Sequence, residues 1–142
     1  VQPRLTEHHL TEERRLAYVA VTRARSCLWL GAALSDIAYF RTYEIQWQNF
    51  ASWLIVGGLV LSAFAVLFSL FDLRAARRTR AAVIYALLVI AMWIVGFFNA
   101  LMHARDAWAS MPGGLVLSVI TVVLGLVATV MAFRRVRTGE LQ

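Results

Sequence analysis

The chain has 142 residues, of which 61% are hydrophobic and only 15% charged. A domain that faces water carries about 25% charged residues, so the composition excludes an ordinary soluble surface and points to lipid as the solvent. The net charge of +6 rests on fourteen arginines with no lysine; in so apolar a chain these read as arginines of cytoplasmic loops, and no nucleic-acid partner is expected.

In chain order, residues 1–15 are polar and hold Glu7, Glu12, Glu13, Arg14 and Arg15, so no signal peptide is expected there. Cys27 is the single cysteine, which rules out an internal disulfide or a thiolate cluster. Residues 27–40 form a short apolar stretch that contains Asp36. It is taken as a first membrane span that begins inside the preceding basic segment, with Arg23 and Arg25 reaching back to the interface. Three longer apolar stretches follow at 51–71, 81–102 and about 115–133. Each is close to the ~20 residues a helix needs to cross the hydrocarbon layer, and none has the polar stripe of a soluble helix. The expected fold is therefore all-α, a polytopic four-helix membrane bundle.

Arginine placement orients the spans. Arg74, Arg77, Arg78 and Arg80 lie between the first two long spans, and Arg134, Arg135 and Arg137 follow the last. The other connections hold only Arg41, beside Glu44, and Arg105, beside Asp106. Cytoplasmic loops collect arginine, so both termini and the 72–80 connection are expected in the cytoplasm. Segments 41–50 and 103–114 then lie outside, and Tyr39, Tyr43, Trp47, Trp53 and Trp108 fall at the outer interface, where aromatic rings settle. Asp72 is expected to pair with neighbouring arginines at the cytoplasmic boundary.

Two stripes of small residues are spaced for one helix face: Gly58, Ser62, Ala65 and Ser69, and Ser118, Thr121, Gly125, Ala128 and Ala132. Small residues let helices approach closely in lipid, so these faces are expected against the bundle or a second copy. Ionisable groups at membrane depth mark functional sites by default. Asp36 is placed near the outer end of the first span, and Gly96, Asn99, His103 and Asp106 share one face by spacing. Asp36, Asn99, His103 and Asp106 are therefore the candidate polar cluster, with a proton relay, a polar ligand site and a structural hydrogen bond as the open roles. No cofactor and no metal is expected. A haem held by two histidines is disfavoured because only His103 lies near a span, while His8 and His9 sit in the polar start. No phosphate loop, zinc spacing or nucleophile motif occurs, so no enzyme activity is expected.

From Gly31 onward, the phrases GAALSDIAYFRT, QWQNFASWLIVGGLV, LFDLRAARR and FFNALMHARDAW, followed by the apolar last helix, resemble a family of small bacterial membrane proteins, domain of unknown function 2231. The resemblance implies a four-helix membrane bundle over 31–137, a recurrent setting for Asp36, Asn99, His103 and Asp106, and a redox context, since members are sometimes joined to Rieske-type iron–sulfur proteins. The His/Pro phrase that usually opens the family is missing here. In its place TEERRLAYVAVTRARSCLWL, residues 11–30, resembles the last conserved motif of UvrD-like superfamily 1 helicases. By that resemblance Arg23 matches the arginine that reaches the ATP γ-phosphate. A helicase also needs a Gly-x-x-x-x-Gly-Lys loop, which this sequence lacks, so Arg23 is expected to be vestigial. A chimeric join near residues 29–31 is the first account of the segment, and a fusion that uses it as a basic lead-in is the second.

The expected organisation is a basic segment at 1–30, a transmembrane domain at 31–137 and a cytoplasmic tail at 138–142. The expected function is that of a multi-pass inner-membrane protein serving a redox or transport system, with the bilayer, a second copy and such a system as partners. Two alternatives stand beside it: a proton-handling or cofactor-binding subunit using Asp36 and His103, and a helicase remnant without independent activity.

Overall fold

Lipid offers the backbone no hydrogen bonds, so each apolar stretch must satisfy its own amides as helix. The computed structural model describes residues 3–74 and 79–138; Arg77, Arg78 and the tail from 139 onward lie outside the described residues. The helices are α1 (Pro3–Thr42), α2 (Ile45–Arg74), α3 (Arg80–His103), the single-turn α4 (Ala107–Ser110) and α5 (Gly113–Arg137), with no strand among the described residues. Each of α1 and α3 packs against both α2 and α5, which closes the four long helices into a ring. Short connections make sequence neighbours antiparallel. Helices α2, α3 and α5 are long and apolar enough to cross a membrane.

The first helix differs from the short span expected at 27–40. It is 40 residues long, ~60 Å at 1.5 Å per residue, and runs unbroken through residue 30. From Thr22 onward it buries Thr22, Arg25, Trp29, Ala32, Ser35, Asp36 and Tyr39. The opposite face presents Leu30, Leu34, Ile37 and Phe40 outward, and this half is the fourth member of the bundle. α1 ends at a two-residue turn in which Tyr43 takes a left-handed φ of 54°. That conformation is costly without glycine, and here the Tyr43 N–H donates to the Tyr39 carbonyl at 2.7 Å while its ring stacks on Trp108 with centroids 5.4 Å apart. At the other connection Thr79 caps α3, its hydroxyl accepting from the Ala82 N–H at 3.1 Å.

The bundle is inverted relative to a soluble one. On α2 and α5 the inward faces are built of small residues: Gly58, Ser62, Ala65 and Ser69 of α2, and Ser118, Thr121, Gly125, Ala128 and Ala132 of α5, are all buried. Its exterior carries the large side chains, among them Val60, Phe64, Leu67, Phe68, Phe97, Phe98, Val123, Leu126 and Val130. Both small-residue stripes thus face the bundle axis. Trp29 fills the middle of the axis, where its indole N–H donates to Ser62 Oγ at 3.2 Å. Tyr39, grouped by sequence with the outer aromatics, is buried inside, whereas Trp47, Trp53 and Trp108 are exposed.

At the end opposite the Tyr43 turn, Arg135 of α5 donates to Asp72 Oδ2 of α2 at 3.4 Å and lies 5.3 Å from the Tyr85 ring centroid. Asp72 does pair with an arginine, but one across the bundle rather than its neighbour Arg74. Arg25, fully buried on α1, leaves its guanidinium nitrogens without hydrogen-bond partners among the described residues.

Candidate functional site

Three helices bring polar side chains together near the Tyr43 end of the bundle. α1 supplies Asp36 from the same buried face as Trp29 and Tyr39. α3 supplies Asn99 and His103, one turn apart on the face that also buries Met92 and Gly96. α5 supplies Ser118 from its small-residue stripe. Asp36, Asn99 and Ser118 are no more than 1% exposed and His103 is 6% exposed.

The hydrogen bonds form a closed set. His103 Nε2 lies 2.7 Å from Asp36 Oδ1, and His103 Nδ1 lies 2.9 Å from the Asn99 backbone carbonyl. Ser118 Oγ donates to Asp36 Oδ2 at 2.5 Å and accepts from Asn99 Nδ2 at 2.8 Å. A backbone carbonyl can only accept, so Nδ1 must carry a hydrogen. The proton between Nε2 and Oδ1 can then sit on either atom. On oxygen it makes a neutral acid beside a neutral imidazole; on nitrogen it makes a carboxylate beside an imidazolium. Removing it leaves two lone pairs facing each other. This geometry therefore holds one shared proton in an apolar bundle, where an unpaired charge is expensive.

Of the four residues expected to cluster, Asp36, Asn99 and His103 meet. Asp106 does not: it is exposed at the N-terminal boundary of α4 and makes no capping bond there. Helix α3 ends at His103, so the helical spacing that put Asp106 on the same face no longer applies three residues later. Arg23 is exposed on α1, well over three turns from Asp36, and takes no part in the cluster. Ser118 is the residue the sequence reading missed as a site member. It was legible only as one small residue in a packing stripe, and its role depends on α5 lying across from both α1 and α3.

Beside the cluster a cleft of about 270 Å³ is lined by Ile45, Gln46, Gln48, Asn49, Ser52, His103 and Arg105. Gln48 is 5% exposed, and neither its amide oxygen nor its amide nitrogen has a hydrogen-bond partner among the described residues. Asn99 Oδ1, within the cluster, is likewise buried and unpartnered. A buried amide left unpaired is costly, so both are positions where water or another polar molecule gains hydrogen bonds.

The family model described as predicted membrane protein (DUF2231) matches residues 26–139. The model described as UvrD-like helicase C-terminal domain matches residues 2–35, all of them at or near α1. No curated protein and no solved structure matches the chain.

Proposed function

The chain belongs to the DUF2231 family of predicted membrane proteins, and from that premise we propose that it is a proton-handling subunit of the bacterial inner membrane, both termini cytoplasmic, built on the Asp36–His103 pair. The observation that carries this reading is that His103 Nδ1 is tied to a backbone carbonyl while Nε2 meets a fully buried carboxyl group. A structural hydrogen bond between neutral groups would serve packing alone. A carboxyl–imidazole pair with one ring nitrogen fixed as a donor does more, because each change in its proton count breaks a contact. Adding a proton puts two donors on the Nε2–Oδ1 axis, and removing one leaves two acceptors. Since Asp36 is on α1, His103 on α3 and Ser118 on α5, protonation acts on the joint between three helices. A redox or transport complex that moves protons is the natural setting for such a joint.

The test is protonation of the pair in the full-length protein, purified in detergent. With His8 and His9 replaced by Gln, the nitrogen resonances of labelled His103 are followed against pH, together with the infrared carboxyl band. His103 is expected to change protonation state within the range where the bundle stays folded, and Asp36→Asn is expected to remove the carboxyl band and displace that titration. A His103 spectrum that never changes, or one indifferent to Asp36→Asn, would overturn the proposal.

A further inference from the structure

We infer that the Asp36–His103 pair exchanges its proton with one side of the membrane only, through the cleft that Gln48 helps to line. The inference rests on the proton-handling reading and adds a direction to it. His103 belongs to both places: the residue is part of the cleft lining, and its buried Nε2 closes on Asp36. Apart from Ile45, the rest of the lining comes from residues with amide, hydroxyl or guanidinium groups, Gln46, Gln48, Asn49, Ser52 and Arg105. Gln48 also lines this space, and its buried amide has no hydrogen-bond partner among the described residues. A volume of about 270 Å³ with several polar partners suits a short file of ordered waters, since each water needs two to four such partners and ~30 Å³.

The opposite direction is closed. Two turns inward along α1, Trp29 is 1% exposed and belongs to a buried apolar cluster with Ile55, Val89, Met92 and Ala128. A proton would have to pass this cluster, where the Ser62 hydroxyl is already engaged by the Trp29 N–H and the Gly58 carbonyl. Few charges compete for the pair. Asp36 faces His103 from α1, and Arg105 stands with it at the cleft. Arg41, Glu44 and Asp106 at this end are exposed, and the buried Arg25 lies about three turns from Asp36 on α1. The charged residues of α2 are Asp72 and Arg74, and those of α5 are Arg134, Arg135 and Arg137, all at the far ends of their helices. On the near side α2 offers Gln48, and α5 offers Ser118 and the backbone at Gly114.

The test uses the full chain in phospholipid vesicles with a fixed internal buffer. Orientation is scored by an impermeant thiol reagent on a cysteine placed at Trp108 in a Cys27→Ser background. The external pH is stepped, and the His103 signal is read separately in the two orientations. Molecules with the Trp108 end outward are expected to follow the step, and inverted molecules are expected to ignore it. Gln48→Leu is expected to leave the equilibrium titration in detergent unchanged and to slow the vesicle response at least several-fold. A response in inverted molecules, or an unchanged rate with Gln48→Leu, overturns one-sided access through this cleft while leaving the proton-handling reading intact. If neither orientation responds and detergent titration is also silent, both readings fall.

Discussion

The Asn99 carbonyl decides the chemistry of the imidazole before any proton is counted. Because it fixes Nδ1 as a donor, the two partners of the pair are not equivalent to mutation. In Asp36→Asn the amide nitrogen can donate to a neutral Nε2, and the amide oxygen can accept from Ser118, so both contacts at 2.7 and 2.5 Å have a replacement. In His103→Phe the carboxyl group keeps only Ser118 and stays buried. Thermal unfolding in detergent is therefore expected to place Asp36→Asn close to the parent and His103→Phe clearly below it, by about 1–3 kcal/mol for a buried polar group left unsatisfied. Equal losses would mean that the pair is held by packing and not by its hydrogen bonds. At this scale the sequence was readable where spacing alone sufficed. Asn99 and His103 are four apart in a helix that has begun twenty residues earlier, and an aspartate in a short apolar stretch has few other reasons to exist. Ser118 and Gln48 were not readable, because a serine or an amide in a membrane helix bonds its own backbone as readily as a neighbour; Ser52 and Thr121 do so here.

At the scale of the helices, the bundle is organised around one large side chain and the two glycines that make room for it. A Cβ added at Gly58 would lie 2.9 Å from Trp29 Cε2, and one added at Gly96 would lie 2.6 Å from Trp29 Cη2. The ring cannot retreat, since Ile55, Val89 and Met92 surround it and its N–H is held by Ser62. Gly96→Ala is thus expected to destabilise by about 1–3 kcal/mol, the usual result of overpacking. Gly57→Ala, whose added methyl meets only the Leu28 side chain, Cδ1 at 3.4 Å and Cδ2 at 3.9 Å, is the tolerated control. Trp29→Phe should relieve the clash, so the double variant Trp29→Phe/Gly96→Ala is expected to lose less than the sum of the single variants in thermal unfolding. Additive losses would mean that the indole does not rest on Gly96. The small-residue stripes announced close approach in the sequence, yet they did not reveal which side chain fills the space, because that residue comes from α1, the helix with the weakest hydropathy signal.

At the scale of the whole molecule, the three apolar helices were legible because lipid imposes a simple demand: nearly every outward residue must be apolar over about 20 positions. The continuity of α1 was not legible in the same way. Its bundle half mixes Arg25, Ser35 and Asp36 with apolar residues, and all three face inward, where hydropathy averaged along the chain cannot distinguish them from surface polarity. The folded arrangement also gathers the charges by end. Arg74, Arg80, Arg134, Arg135 and Arg137 lie at one end of the bundle, whereas the end with the Tyr43 turn has Arg41 and Arg105. Loops rich in arginine stay in the cytoplasm, so the end with the Tyr43 turn is expected to face away from it. Single cysteines at Trp108, which is 77% exposed, and at Arg137, also exposed, test this in a Cys27→Ser background, which removes the native exposed thiol. In intact spheroplasts an impermeant maleimide is expected to label Trp108→Cys at once and Arg137→Cys only after lysis. The reverse pattern would turn the molecule over and aim the Gln48 cleft at the cytoplasm. Labelling of both from outside would mean that α5, the helix between them, does not cross the membrane.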